Sequence, residues 1–506
     1  MSQSLFDLVR ARMPAEPSAK TFIETADGHR HSYADLVARS GAYAAALAAL
    51  GVKPGDRVAV QVEKSPEVVF LYLGAVRAGA AFLPLNTAYT ATEIEYFLSD
   101  AQPSLFVCDP SKQEAMASAS KAAGITEIRT LDASGRGSMA EAADAAPTNF
   151  VDVSRGGDDL AAILYTSGTT GRSKGAMLTH ANLASNAVTL AETWRFRADD
   201  VLIHALPVFH THGLFVATNV ILASGASMIF LPRFDPKEIL GLMPRATALM
   251  GVPTFYTRLL KEPGLTQEAT RRIRLFVSGS APLLAETHRE WQARTGHAIL
   301  ERYGMTETNM NTSNPYDGAR IAGTVGLPLA GVSVRVVDPE TGAHLPADAV
   351  GMIEVKGPNV FKGYWRMPEK TAAEFKTDGF FITGDLGKID PQGYVHIVGR
   401  GKDLIITGGY NVYPKEVENE IDALPGVIES AVIGLPHSDF GEGVTAVVVA
   451  RHDAPGEKEM LTILEERLAR FKCPKRILFA DDLPRNAMGK VQKNVLRETH
   501  AELYRS

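Results

Sequence analysis

Between two apolar runs, Tyr165-Thr166-Ser167-Gly168-Thr169-Thr170-Gly171-Arg172-Ser173-Lys174-Gly175 gathers hydroxyls, three glycines and one lysine into a short loop. The run at 160–164 before it is short and apolar, in the manner of a buried strand. After it the apolar pattern resumes at 175–178, and Thr179 supplies an N-cap for a helix from about His180. The loop is therefore held at both ends. Glycines let the backbone approach a ligand closely, and exposed N–H groups with hydroxyls and an ammonium suit phosphate oxygens. Without a ligand the same residues would make a solvated, turn-rich connection. The common phosphate loop, with Gly-Lys followed by Ser or Thr, is absent, because Ser173 precedes Lys174 and Gly175 follows it.

Around the loop, strands alternate with helices. Residues 33–50 are rich in Ala and Leu at helical spacing and stop at Gly51, and Pro54-Gly55-Asp56 turns the chain into a strand at 57–61. A helix near 66–78, a strand at 81–85, a helix near 91–99 and a strand at 104–108 follow. Beyond the loop, 201–207, 227–231 and 275–277 are strand candidates. The alternation predicts an α/β fold built on a parallel, doubly wound sheet. The Ala- and Ser-rich stretch 111–148 is expected as surface helices and loops. From about 331, short alternating strands at 332–337 and 352–355 predict a small β-rich subdomain. Gly399-Arg400-Gly401-Lys402-Asp403 marks a break, and the chain beyond it has its own apolar strands at 430–434 and 444–449. We therefore expect a large N-terminal domain over 1–400 and a smaller, mobile α+β C-terminal domain over 401–506.

A net charge of −6 with no basic stripe argues against nucleic acid as the partner. Cys108 and Cys473 lie far apart without metal spacing, as in a protein of a reducing compartment. Met1 to Met13 mixes charges and lacks the apolar core of a secretory signal. No run approaches the roughly 18 apolar residues that span a bilayer. The expectation is a cytoplasmic protein whose partners are small molecules; its oligomeric state is not legible here.

The glycine-rich loop resembles the signature loop of the adenylate-forming enzymes, the acyl-CoA synthetase and ligase superfamily, with Ser173 where proline is usual. The resemblance implies that Thr166, Ser167, Gly168, Thr169, Thr170, Gly171 and Lys174 cradle phosphates. Five further stretches resemble that superfamily's motifs in the same order. Ser278, Gly279, Ser280 and Ala281 follow a strand, where α/β proteins place ligands. An adenine-edge contact is implied there, and a tight strand-to-helix turn suits the same residues. In 303–308, Tyr303 would stack on adenine, Thr306 would bind the α-phosphate, and Glu307 would hold Mg²⁺, a hard cation that prefers oxygen. A Thr-Glu pair alone would read as a helix start. Asp385 and Arg400 would meet the ribose hydroxyls, although Asp385 alone is a turn residue. Gly408 and Gly409 lead into a helix with Pro414 in its first turn; this backbone would line the pantetheine tunnel of CoA. Lys490, beside Gly489, would stabilise charge during adenylation. Lys402 would be the residue about which the C-terminal domain rotates between half-reactions. ATP, Mg²⁺ and coenzyme A are the implied cofactor and co-substrates.

The chemistry accounts for such a set. A carboxylate resists thiol attack because oxide would have to leave, and transfer to the α-phosphate of ATP makes AMP the leaving group. Lys490, Lys174, Thr306 and Mg²⁺ suit the electrostatic demands of that step.

The acid is read from the pocket. His210 lies in a stretch that borders the acyl group in relatives, and neither it nor His212 has the carboxylate or cysteine company of a metal ligand. Arg302 and Met305 lie either side of Tyr303 and Gly304, and Arg258 follows another pocket stretch. Two guanidinium groups beside an apolar chain would be costly to bury, whereas a second carboxylate would welcome them. The combination is most similar to the malonyl-CoA synthetases and implies malonate, with methylmalonate left open. The alternatives are a monocarboxylate CoA ligase, an enzyme that loads a carrier protein, and a non-catalytic nucleotide-binding regulator. A surface ion pair is the other use for each arginine.

Overall fold

Local chemistry sets where helices begin. Ser32, Thr90 and Thr179 cap the helices Tyr33–Ala49, Ala91–Ala101 and His180–Thr193. Each hydroxyl accepts from the backbone N–H three residues on, and the side chain there returns the bond to the cap. Asp35 and Asn182 stand in place of the usual Glu or Gln in the first and third cases, Asn182 Oδ1 accepting from the Thr179 N–H at 2.9 Å. The helix Pro66–Arg77 is buried from Val68 through Arg77, so it is packed on all sides. Arg77 is accommodated there by donating to Asp152 and to the Val37 carbonyl, both at 2.6 Å.

The computed structural model describes residues 3–166, 173–407, 410–437, 440–468, 470–486 and 489–504, with the side chains of 410 and 411 outside the description. Ser167, Gly168, Thr169, Thr170, Gly171, Gly408 and Gly409 lie outside the described residues.

Among the described residues four sheets form. One runs in space through Ile128–Thr130, Leu105–Cys108, Arg57–Gln61, Ala81–Pro84, Leu160–Thr166 and Lys174–Thr179. Its strands are parallel up to Leu160–Thr166, which pairs antiparallel with Lys174–Thr179. A nine-stranded sheet has a parallel centre, Ser227–Phe230, Val201–His204, Ala248–Gly251, Leu275–Ser278 and Leu300–Met305, with antiparallel strands at both margins. One continuous core joins the two, from Val58 and Phe82 to Ile203 and Met228. Ser333–Val337, Gly351–Lys356, Phe381–Ile389 and Val395–Arg400 make the small antiparallel sheet. The last sheet, centred on Val427–His437 and Gly441–Ala450, has a separate apolar cluster on each face. The whole is a large N-terminal α/β domain and a smaller C-terminal domain. No helix among the described residues is long and apolar enough to cross a membrane.

Three details depart from the sequence pattern. The glycine-rich loop joins a hairpin, so the parallel order breaks where the loop sits, with Thr166 opposite Lys174. The stretch 111–148 contains the strand Ile128–Thr130 beside its helices, three residues being too few for a period to show. Thr306 and Glu307 form the turn between the antiparallel strands Leu300–Met305 and Asn309–Ser313, and no helix starts there.

Candidate active site

The hairpin Leu160–Thr166 and Lys174–Thr179 presents both stems of the glycine-rich loop at one edge of its sheet. A second segment clamps the later stem. Trp365 N–H donates to the Gly175 carbonyl at 2.7 Å, Lys362 N–H to the Met177 carbonyl at 2.9 Å, and Met177 N–H to the Gly363 carbonyl at 3.0 Å. The clamp delivers Tyr364, whose hydroxyl lies 2.6 Å from Glu374 and 3.1 Å from Glu307. Lys174 is buried beside it, 3.4 Å from Glu374 and 4.2 Å from the Tyr364 ring centre. Thr166 donates to Glu307 at 3.5 Å. Burial pushes the Glu307 carboxyl up, partly offset by its hydrogen bonds and by Lys174 and Arg400. Sequence reasoning missed Tyr364 and Glu374, which carry no motif of their own. The one nearby mark in the sequence is Gly363, and the structure gives it a φ of +129°, a conformation that glycine adopts freely.

A second cluster forms on the small sheet. Register places Asp385 directly across from Arg400, and their side chains meet at 3.1 Å. Tyr303 donates its hydroxyl to the other Asp385 oxygen at 2.6 Å. Lys490 reaches this cluster from the C-terminal domain. Gly489 before it has φ +73° and backs onto Thr254 so closely that a Cβ would lie 3.2 Å from that side chain. Burial, then the Arg400 charge, pull Lys490 down to about 8, while Asp385 opposes them. Thr306 is half-buried in the turn beyond Met305.

Side chains leave a strand on alternate faces, so Arg302 and Tyr303 face opposite sides of the strand Leu300–Met305. Arg302 is 3% exposed, and its Nε and Nη2 have no hydrogen-bond partner among the described residues. It lies flat against Gly279, where a Cβ would stand 2.4 Å from the guanidinium carbon, so only glycine permits the approach. Ser278 is buried with its hydroxyl unpartnered among the described residues, and Ala281 is half-buried beyond it. Ser280 holds a left-handed φ of +71°, costly for any residue with a side chain, and its hydroxyl meets His212 Nδ1 at 3.3 Å. His212 N–H donates to His210 Nδ1 at 3.3 Å. Burial, then Arg302, hold His210 at about 4 and His212 well below its ordinary value. Burial pulls Arg302 itself down to about 9, with Tyr256 opposing. The arrangement is one buried cation flanked by two neutral imidazoles.

Arg258 is not brought into this cluster. Phe255, Tyr256 and Leu259 take the buried face of the helix Pro253–Leu259, and that phase leaves Arg258 exposed. Its guanidinium lies 6.0 Å from the Phe234 ring centre, on the wall of a cleft of about 1050 Å³ between the domains. Met305 is half-buried against the main core.

The AMP-binding enzyme family matches residues 9–365, and the AMP-binding enzyme C-terminal domain matches residues 416–490. The chain belongs to the AMP-binding enzyme family. ATP-bound MatB from Rhodopseudomonas palustris is 65% identical over 100% of both chains, with a TM-score of 0.97. The apo form of that protein gives 0.86, so this AMP-binding enzyme has the overall arrangement nearer the ATP-bound form. Malonate–CoA ligase of Arabidopsis thaliana is 34% identical over 98% of this chain and 89% of its own length. Feruloyl-CoA synthase of Amycolatopsis sp is 38% identical over 96% and 97%.

In this AMP-binding enzyme Lys402 lies in a short 3₁₀ turn, Gly401–Asp403, between two anchored points. The Asp385–Arg400 pair ties the chain before it to the small sheet. Asp403 accepts from Arg497 at 2.6 Å, which ties the chain after it to the helix Lys493–Thr499. Gly401 and Lys402 are the stretch left between the anchors.

Proposed function

We propose that this AMP-binding enzyme is an ATP-dependent acid–CoA ligase that activates malonate. In the first half-reaction a malonate oxygen attacks the α-phosphorus of ATP, the bond to pyrophosphate breaks, and malonyl-AMP forms. In the second the CoA sulfur attacks the acyl carbon, the bond to AMP breaks, and malonyl-CoA forms. The observation that carries this reading is Arg302, a buried guanidinium in the acyl pocket with two donors unpartnered. Such a group is costly alone and favourable beside a second carboxylate. The kinship with proteins named malonate–CoA ligase and MatB supports it.

The residues then take these roles. Tyr303, Ser278, Gly279, Ser280 and Ala281 border the adenine, and Asp385 with Arg400 meets the ribose. Thr166 and Lys174, with the loop between them, hold the phosphates. Thr306 and Lys490 donate to the α-phosphate as its charge grows. His210, Arg302 and Met305 bound the acyl group. Among the described residues no group of three His, Cys, Asp or Glu side chains gathers into a protein cage. Glu307, a buried oxygen donor beside the phosphate-loop stem, fits Mg²⁺, which commonly takes one or two carboxylates and completes its shell with substrate phosphates. When bound, that ion supplies charge neutralisation for the departing pyrophosphate. Residues 1–400 form the adenylation domain. Residues 401–506 turn about Lys402 between the half-reactions, replacing Lys490 with the CoA channel along Gly408 and Gly409. The reaction uses small molecules of the cytoplasm.

Pyrophosphate exchange with malonate, methylmalonate, succinate, acetate and benzoate tests the reading. Malonate or its methyl derivative should support the fastest exchange. Faster exchange with acetate or benzoate would overturn it.

A further inference from the structure

Lys64 follows the strand Arg57–Gln61, is 8% exposed, and has no carboxylate partner among the described residues. Its nitrogen lies 2.9 Å from His204 Nδ1, donates to the His204 carbonyl at 2.7 Å, and sits 4.1 Å from the Phe230 ring centre. His204 ends the strand Val201–His204, and its Nε2 lies 2.9 Å from the Gly213 carbonyl. A carbonyl oxygen can only accept, so Nε2 carries the proton in this neutral imidazole. Nδ1 is then the acceptor and Lys64 the donor. The tautomer follows from the partners alone.

The Gly213 carbonyl also accepts from Thr218 Oγ1, at 3.0 Å. A Cβ on Gly213 would stand 2.0 Å from the Pro207 carbonyl oxygen, so the backbone is pressed in where only glycine fits. Two side-chain donors crowd one carbonyl at the head of a helix, and the turn there widens: His212–Thr218 is a π-helix. Relaxing it to an α-helix would shift the chain on one side by one residue, about 1.5 Å along the axis and about 100° around it. On that side lie His212, against Ser280, and His210, beside Arg302.

We propose that Lys64, His204 and Thr218 are positioning residues for the acyl pocket, holding the Gly213 carbonyl and through it the π-helical turn that sets His210 and His212 against Arg302. None of the three needs to touch the acid. The proposal rests on the reading of that pocket as the malonate site. It also links the pocket to the interdomain cleft, whose wall includes Lys64.

Two substitutions test it in the full-length enzyme, with Thr218→Ser as the conservative control. Lys64→Met removes the donor to His204 while filling its space, and Thr218→Val removes the second donor at nearly constant shape. KM for malonate and for ATP are measured separately by pyrophosphate exchange, with thermal unfolding alongside. Lys64→Met and Thr218→Val should raise KM for malonate at least about tenfold, since a misplacement of about 1 Å can cost on the order of 100-fold. KM for ATP should stay within about twofold, since uniform loss of structure would move both. Thr218→Ser should match the wild type. Folded variants with unchanged malonate KM, or with equal rises in both constants, would overturn the proposal. Should Lys64→Met not fold, the Thr218 pair decides, and Val and Ser behaving alike defeats the idea. A wild type inactive with malonate refutes the substrate reading instead, and the same split is then measured on the acid it does use.

Discussion

Arg302→Met exchanges a buried cation for an apolar chain of similar length. Two of the arginine's donors have no partner among the described residues, and burial has pulled the group down to about 9. That fall corresponds to roughly 5 kcal/mol by which the interior disfavours the charge. Relieving it should stabilise the empty enzyme, and the cost of comparable unsatisfied groups sets the gain on the order of 1–3 kcal/mol. The unfolding midpoint should therefore rise by a few degrees. Malonate use should collapse. A charged hydrogen bond is worth about 1.5–3 kcal/mol, or about 10–150-fold in kcat/KM. The orphaned carboxylate adds its own desolvation cost, so a loss of at least about 100-fold is expected. KM for ATP should move far less, because the ribose and phosphate contacts at Asp385, Arg400 and Lys490 form a separate cluster and methionine still packs on Gly279. Butyrate should gain relative to malonate, since methionine accepts a methyl end. Thermal unfolding with and without malonate, and CoA-thioester formation from malonate and butyrate, make the assay. Malonate should raise the midpoint of the wild type and not of the variant. A lower midpoint with parallel losses on both acids would show that Arg302 holds the fold, and the reasoning would fail.

Lys490→Ala should slow pyrophosphate exchange on the order of 10²–10³-fold while sparing thioester formation from supplied malonyl-AMP; equal losses in both would make Lys490 structural. Because Lys490 stands at about 8 in the free enzyme, it loses charge as pH rises through that value. kcat/KM for ATP should then fall above it, whereas kcat, measured with phosphates beside the lysine, should hold to higher pH; a flat kcat/KM profile up to about pH 9 contradicts this. Lys402→Pro fixes φ near −65° between the two anchored points, so adenylation should survive and CoA transfer fail. Both steps at wild-type rates would rule out rotation at that residue.

Much of the fold was legible because its signals are local. Thr179 caps the helix His180–Thr193 as its position before an apolar run predicted, and Pro414 opens the helix Pro414–Asp422. The strands Arg57–Gln61 and Leu275–Ser278 lie within a residue of where their apolar runs placed them. The order of the short motifs pointed to the family, because phosphate-facing loops need particular residues at particular spacings. Hydroxyls, glycines and a lysine announce that chemistry without any neighbour.

Tertiary structure alone decided which of these residues meet. Arg302 and Arg258 look equivalent as sequence, and only helix phase and strand alternation bury the first and expose the second. Glu374 has no local mark, yet it faces Lys174 across 200 positions of chain. Lys64 and His204 are 140 positions apart, and nothing in either neighbourhood announces a lysine held by an imidazole. The physical reason is the same in each case. Backbone preferences and hydrophobic periods act over a few residues, whereas the free energy of a buried charge depends on whatever the folded chain brings beside it.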